Sequence, residues 1–528
     1  MLGGMQDFAL RVPRLIDHAE REHGAQEIVS YWADGRETRT NWAGIARDAR
    51  RLAQALEALG LKPGDRVGTL GMNHAHHLTA WYGAIGMGGV IHTINPRLFD
   101  EQLVYIANHA EDRVLFYDRM FATIVERLRP QLTSIEHYVE FDGPGWDALL
   151  APHDGDYAWH EGDERDPCML CYTSGTTGNP KGVLYEHRST VLHAMTEVAP
   201  SVFNLSPQTV ALPIVPMFHA AAWGLPFAGA LAGIKFVYSA TNDAKVLCRL
   251  MNQEKVTHSA GVPTVWLAMF QHMDQTGERP EHMQLVTIGG SAAPRAMIER
   301  LMKMGIRVGH AWGMTETSPI GTMGAPPANW DSLSFEEQVD VVSKQGRVPF
   351  GVELRVVDDE GRVQPRDGQS SGRLQIRGPW VIQRYFQADA DAADRESWFD
   401  TGDVAVLHPD GTMQITDRSK DVIKSGGEWI SSVELENAAV GCAGVAEAAA
   451  IGVYHPKWDE RPLLLVVKKD GAEVSAADVI AHLSDKVAKW WLPDEVLFVD
   501  SLPHTATDKL LKTALRDQYR EYRLQSAA

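Results

Sequence analysis

Between Tyr172 and Gly182 the chain reads Tyr-Thr-Ser-Gly-Thr-Thr-Gly-Asn-Pro-Lys-Gly, directly after the apolar run Cys168-Met-Leu-Cys171. Three glycines let a backbone come close to a ligand and turn several N–H groups toward it, while the hydroxyls and Lys181 add donors and charge. Such a segment at the end of a buried strand reads as a cradle for a polyphosphate. It is not a Walker A loop, because Lys181 is followed by Gly182 rather than Ser or Thr and the second glycine is displaced.

The elements around this segment alternate. Ile45, Ala49, Leu52, Leu56 and Leu59 recur at helical spacing and Gly60 supplies a stop. The turn Lys62-Pro-Gly-Asp65 leads into the short strand Val67–Leu70. Pro263 and Pro294 are expected at first helical positions, beside buried strands at Leu285–Ile288 and Ile306–Val308. Alternation of this kind predicts an α/β fold: a large, multi-layered N-terminal domain with mostly parallel sheets. After about residue 350 the strands shorten, at Val352–Val357 and Arg373–Arg377, and Asp410-Gly411 between two apolar runs predicts a hairpin. This stretch is expected to form a small barrel-like part. Beyond Asp417 a loop, a helix opened by Ser431-x-x-Glu434, two apolar strands and a further helix predict a small α+β domain. The expected division is therefore 1–416 and 417–528, with a hinge at 417–420.

A chain of 528 residues with 44% hydrophobic content has material for more than one core. The formal net charge of −19 opposes a polyanionic partner, so no nucleic acid is expected. From Val210 to Ile234 the only ionisable side chain is His219, but Pro213, Pro216 and Pro226 break a membrane helix. That stretch reads as a buried loop and helix lining an apolar pocket, and no transmembrane segment is expected. The N-terminus lacks the basic start and continuous apolar run of a secretory signal. Four cysteines suggest a reducing compartment, hence a cytoplasmic protein. Cys168 and Cys171 fall on opposite faces of a strand, which suits neither a metal nor a redox pair. Asn73-His-Ala-His-His77 has no companion ligand cluster of recognisable spacing.

Further segments accompany the cradle: Trp312-Gly-Met-Thr-Glu-Thr317, Thr401-Gly-Asp403, Asp417-Arg-Ser-Lys-Asp421, Lys424-Ser-Gly-Gly-Glu-Trp-Ile-Ser431 and Leu502-Pro-His-Thr-Ala-Thr-Asp-Lys509. In content and order they resemble the adenylate-forming superfamily of acyl-CoA synthetases, adenylation domains and luciferases, most closely the medium- and long-chain fatty-acyl-CoA ligases. The resemblance implies ATP (bound as AMP after reaction), Mg2+ and coenzyme A as cofactors. It also implies a carboxylic acid substrate, and a homodimer. The implied nucleotide contacts are Thr173, Ser174, Gly175, Thr176, Thr177, Gly178, Lys181, Gly289, Gly290, His310, Ala311, Trp312, Gly313, Thr315, Asp403, Arg418, Lys420 and Lys424. Gly427 and Trp429 join the set from the loop after the hinge.

Each implied role has a physical basis. Glu316 and the Thr173 hydroxyl are hard oxygen donors for a magnesium ion. Trp312 offers a flat face to adenine where the superfamily commonly has tyrosine, and Asp403 accepts both ribose hydroxyls with Arg418 beside it. Lys509 is the cation expected to bridge the carboxylate and the α-phosphate, with Asp508 where a glycine is usual, and Lys424 serves thiol transfer. Pro216-Met-Phe-His-Ala-Ala-Ala-Trp-Gly224 sets three alanines beside a large indole. His219, Ala220, Trp223, Val262 and Gly313 are thus expected at the acyl group, and Trp223 and Trp429 at gate positions. The expected activity is ATP-dependent acyl-CoA ligation of a medium- or long-chain fatty acid. Alternatives are a short thioether acid such as 3-methylmercaptopropionate, an arylalkanoate, or a non-catalytic sensor of nucleotide or acyl-adenylate. The short tail after Lys509 leaves no carrier domain in this reading.

Overall fold

The computed structural model describes residues 3–173, 179–426, 428–469, 471–505 and 510–524. The helix read from the front of the chain runs Trp42–Ala58, with Ile45, Ala49, Leu52 and Leu56 buried. Its start lies ahead of the apolar stripe because the Asn41 side chain accepts from the Gly44 amide and caps it there. Gly60 takes φ +86°, the left-handed stop that a residue with a Cβ resists.

Two large sheets carry the fold. The first has six strands in the order His137–Glu140, Asp112–Tyr117, Arg66–Leu70, Val90–Thr93, Pro167–Tyr172 and Gly182–Glu186, all parallel except the last. The second has eight, in the order Ile320–Met323, Arg307–Gly313, Leu285–Ile288, His258–Gly261, Val210–Pro213, Lys235–Ser239, Glu27–Tyr31 and Glu37–Asn41. Only its two outer pairs are antiparallel. One core cluster joins the six-stranded sheet to its helices, and another packs the helices Ala244–Gln253, Pro263–Thr276 and Arg295–Lys303 on the eight-stranded sheet. Pro263 opens its helix at the first position as expected. Pro294 is extended at ψ 135° and stands one residue ahead of its helix.

The barrel-like part is an antiparallel sheet of four strands, Glu353–Val357, Gly372–Arg377, Phe399–Leu407 and Met413–Arg418, with the Asp410-Gly411 hairpin where it was expected. Among the described residues no pairing joins its two edge strands. The small C-terminal domain carries a five-stranded sheet built on the long hairpin Val445–His455 and Asp459–Lys468. Its first helix, Ser432–Val440, is capped by the Ser431 side chain accepting from the Glu434 amide.

The stretch 210–234 contributes a strand, a loop and the short helix Leu225–Ala232. Among the described residues no helix is long and apolar enough to cross a membrane. The histidines of Asn73–His77 spend their nitrogens on the fold. His74 caps the helix Ala75–Gly86 and pairs with Asp118 at 2.8 Å, while His76 and His77 donate to the carbonyls of Phe141 and Met72.

Candidate active site

The two ends of the segment read as a polyphosphate cradle, Tyr172 and Gly182, pair across the antiparallel edge of the six-stranded sheet. Ser174, Gly175, Thr176, Thr177 and Gly178 lie outside the described residues; the neck of the loop does not. There the Thr173 amide donates to the Lys181 carbonyl at 2.9 Å, and the Lys181 amide donates to the Thr173 hydroxyl at 3.1 Å. A Cβ on Gly182 would stand 3.0 Å from that of Phe386, whose amide donates to the Gly182 carbonyl at 2.8 Å. Glycine there lets the segment Ile382–Phe386 lie directly on the neck.

That segment also holds Glu316. Its carboxylate, 6% exposed, accepts from the Tyr385 hydroxyl at 2.8 Å, and its carbonyl accepts from the Ile382 amide at 2.8 Å. The Lys181 ammonium sits 4.8 Å from the centre of the Tyr385 ring. On the other side the Tyr185 hydroxyl donates to the Thr315 carbonyl at 2.7 Å. Tyr385 thus joins an expected cation to an expected metal ligand, though the sequence offered no signal for it. Burial and the nearby Glu316 charge push its phenol far up, so it stays a neutral donor. Glu316 and Thr173 present the hard oxygens that Mg2+ takes, which suits the implied ion.

Of the residues expected at the nucleotide, Gly289, Gly290 and His310 to Gly313 lie at strand ends of the eight-stranded sheet. Leu285–Ile288 runs into Gly289 and Gly290, the latter at φ +81°. A Cβ on Gly289 would lie 3.1 Å from the Trp223 ring and 3.3 Å from the Ala311 carbonyl. The structure therefore brings the expected acyl gate against the expected nucleotide turn. Gly313 admits no side chain, because a Cβ there would overlap the Pro319 carbonyl. The Trp312 indole lies over Gly321 and donates its N–H to Asp403 at 2.8 Å. Arg418, paired with Asp403 across the small sheet, holds its Nε 3.9 Å from the other carboxylate oxygen. One Asp403 oxygen thus accepts from the indole, and the carboxylate keeps further lone pairs for the two ribose hydroxyls expected there.

His310 takes a different place from the one expected. It is buried, its Nδ1 donates to the Ser343 carbonyl at 3.1 Å and its Nε2 accepts from the Ala293 amide at 3.3 Å. Burial holds it down at about 4, hence neutral. Its side chain fixes the loop after Gly290, so what it offers a nucleotide is backbone position.

On the acyl side, Ala220, Ala221, Ala222 and Trp223 all take left-handed backbone angles, with φ of +41°, +52°, +49° and +56°. Such angles cost an L-residue roughly 1–2 kcal/mol each, least where the side chain is small. The alanines therefore serve a buried left-handed turn as well as leaving room. Phe203, Leu205, Leu225, His258, Ala260 and Thr287 line a small, mainly apolar crevice. Val262 follows the strand His258–Gly261, whose Gly261 pairs with Ile288, and so stands one strand over from Gly289. Glu197, which the sequence did not single out, is fully buried against Gly224; His193 Nδ1 lies 3.5 Å from one oxygen, and among the described residues neither oxygen has a hydrogen-bond partner. Burial raises its pKa well above the usual range and keeps it protonated.

With this geometry in place, the relationship to known proteins is direct. The family model described as AMP-binding enzyme matches residues 16–386. The chain belongs to the AMP-binding enzyme family. The model for the C-terminal domain of AMP-binding enzymes matches residues 434–509. The enzyme is 49% identical to a 3-methylmercaptopropionyl-CoA ligase of Ruegeria lacuscaerulensis, over 99% of each chain. It is 44% identical to a medium-chain-fatty-acid–CoA ligase of Ectopseudomonas oleovorans, over 100% of this chain and 99% of the relative. Its fold superimposes on an anthranilate CoA ligase in complex with anthranoyl-AMP with a TM-score of 0.87, at 23% identity and 98% and 99% coverage.

In this AMP-binding enzyme the expected hinge is anchored by a buried network. Asp417 accepts from the Ser432 amide at 2.6 Å and from the Ser432 hydroxyl, and Ser432 accepts from Lys512 at 2.6 Å. Lys512 also pairs with Glu436 at 2.6 Å. Burial, opposed by Lys512, raises Glu436 to about 7. Burial pulls the Lys420 ammonium below its ordinary value. Lys424 stands exposed on the short strand Ile423–Ser425. Gly427 and Lys509 lie outside the described residues, as does the side chain of Trp429.

Proposed function

We propose that this enzyme is an AMP-forming CoA ligase that couples an apolar carboxylic acid to coenzyme A through an acyl-adenylate. The observation that carries this reading is the set of contacts among three groups of residues drawn from the six-, eight- and four-stranded sheets. Thr173, Lys181, Tyr385 and Glu316 form the phosphate side, Trp312, Asp403 and Arg418 the sugar side, and the Trp223 indole borders Gly289 at the nucleotide turn. In the first step a carboxylate oxygen of the acid attacks the α-phosphorus and pyrophosphate leaves. The nucleophile is already ionised, so the site needs charge neutralisation and alignment rather than a general base. Magnesium, when bound by Glu316 and Thr173, supplies charge neutralisation at the phosphates. Lys509 supplies the cation for the α-phosphate in this step, and Lys424 with the loop at Gly427 and Trp429 serves the second. There the CoA sulfur attacks the acyl carbon and AMP leaves. The exchange of roles follows rotation of the small domain about 417–420.

The acid is a medium- or long-chain fatty acid in the first reading. The 49% identity to the Ruegeria relative supports a second, a short thioether acid of the kind named for that protein. Buried thiols at all four cysteines suit a reducing cytoplasm. Exposed apolar side chains such as Phe99 and Phe350 offer surface for a homodimer. CoA-dependent AMP release across straight-chain acids of graded length, with 3-methylmercaptopropionate and 3-phenylpropanoate alongside, tests the assignment. A maximum at medium or long chain supports the first reading and a maximum at the thioether acid the second. Release that no acid stimulates would refute both.

A further inference from the structure

The strand Arg307–Gly313 is covered by its antiparallel neighbour only from Ala311 onward. At its lower end, Arg307 and Val308 border a cavity of about 360 Å³ that residues of the segment 324–347 and Thr412 line on the other side. Trp330 and Phe335 stand on its wall with Met302, Ile306 and Val341. The volume is within the range of small-ligand sites.

Two arginines, Arg307 and Arg347, line this cavity. Arg347 is already bound to Asp410, through the carboxylate and the carbonyl, each at 2.9 Å. Arg307 is half-buried, and among the described residues no carboxylate pairs with it; burial alone holds its pKa below the ordinary value. A partly desolvated cation with no counter-charge is an uncompensated cost in a protein whose net charge is −19. The planar fork of arginine matches a carboxylate, and the aromatic and aliphatic wall matches a compact apolar body.

The far wall is the helix Phe335–Ser343. Val341 and Val342 face the cavity, and the next carbonyl, Ser343, is the one His310 donates to. His310 in turn accepts from the Ala293 amide, three residues past Gly290. Filling the cavity braces that helix and, through His310, the nucleotide turn.

We propose that this cavity is a second binding site, apart from the acyl site, for a small monocarboxylic acid with a compact apolar body, and that its occupancy tightens binding of the nucleotide. The probe is 3-phenylpropanoate, titrated calorimetrically into the full-length enzyme whose active site is saturated with a non-hydrolysable acyl-sulfamoyl adenosine. One further equivalent should bind. Arg307→Gln should weaken it roughly tenfold or more through loss of the charged hydrogen bonds, and Val341→Trp, which fills the cavity, should abolish it. Without added probe, Arg307→Gln should keep the ligase rate of the unmodified enzyme. In the unmodified enzyme, with a linear alkanoate as the reacting acid, the probe should lower the KM for ATP about fivefold or more, and in Arg307→Gln it should not. No binding once the active site is filled, or equal binding in Arg307→Gln, overturns the site. Binding with an unchanged KM for ATP overturns the coupling.

Discussion

Tyr385→Phe isolates one hydrogen bond at the heart of the site. The phenol donates to Glu316 at 2.8 Å, while the ring lies 4.8 Å from the Lys181 ammonium. Phenylalanine keeps the ring, and with it the cation–π contact of about 0.5–2 kcal/mol, and removes only the hydroxyl. A hydrogen bond to a charged group contributes about 1.5–3 kcal/mol, so the variant should lose roughly ten- to a hundredfold in kcat/KM for adenylation. The deficit should appear in acid-dependent ATP–pyrophosphate exchange and shrink at high Mg2+, because a freer Glu316 carboxylate can still be recruited by the ion. Transfer from a supplied acyl-adenylate to CoA should change little, and so should the melting temperature. Tyr385→Leu, which also removes the cover on Lys181, should be worse in exchange. Wild-type exchange in Tyr385→Phe, or equal loss in both half-reactions, would refute the reasoning that Tyr385 acts by holding Glu316.

Lys509→Ala should cost adenylation about 2.7–4 kcal/mol, a hundred- to a thousandfold, and leave thioester transfer largely intact; a bulky residue at Gly427 should do the reverse, and the two half-reactions assayed separately decide it. Ala221→Gly should raise the melting temperature, relieving a φ of +52° by about 1 kcal/mol, whereas Ala230→Gly in the helix Leu225–Ala232 should lower it by a similar amount. Burial holds His77 down at about 3 and His76 at about 4, against 6.5 when free. The unfolded chain therefore takes up protons that the fold refuses. Stability from these residues is full above pH 6.5 and drains as pH falls through that window, by up to about 1.4 kcal/mol per unit for each histidine. His77→Gln should flatten the fall in urea midpoint between pH 7 and pH 5.

Features with local causes were legible in the residues. The cap at Ser431, the hairpin at Asp410-Gly411 and the strand Leu285–Ile288 each rest on contacts within a few positions, and each stands where it was read. Pro294 misled by one place because proline suits the extended residue before a helix as well as the first residue within it. What escaped depends on contacts between distant segments. Tyr385 is 69 positions from Glu316, Trp312 is 91 from Asp403, and Lys512 is 80 from Ser432. No spacing rule connects such pairs. The left-handed turn at Ala220–Trp223 was hidden for another reason: only Gly224 hints at positive φ, and alanine in such a run ordinarily reads as helix.

The central claim is that the acid is activated by AMP transfer before CoA takes part. The most direct measurement is exchange of labelled pyrophosphate into ATP without CoA, with and without the acid that best supports AMP release, followed by addition of CoA. The account predicts exchange that depends on the acid, collapses in Glu316→Gln, and gives way to stoichiometric AMP and thioester once CoA is present. Exchange that appears only with CoA, or ADP and phosphate in place of AMP and pyrophosphate, would contradict it.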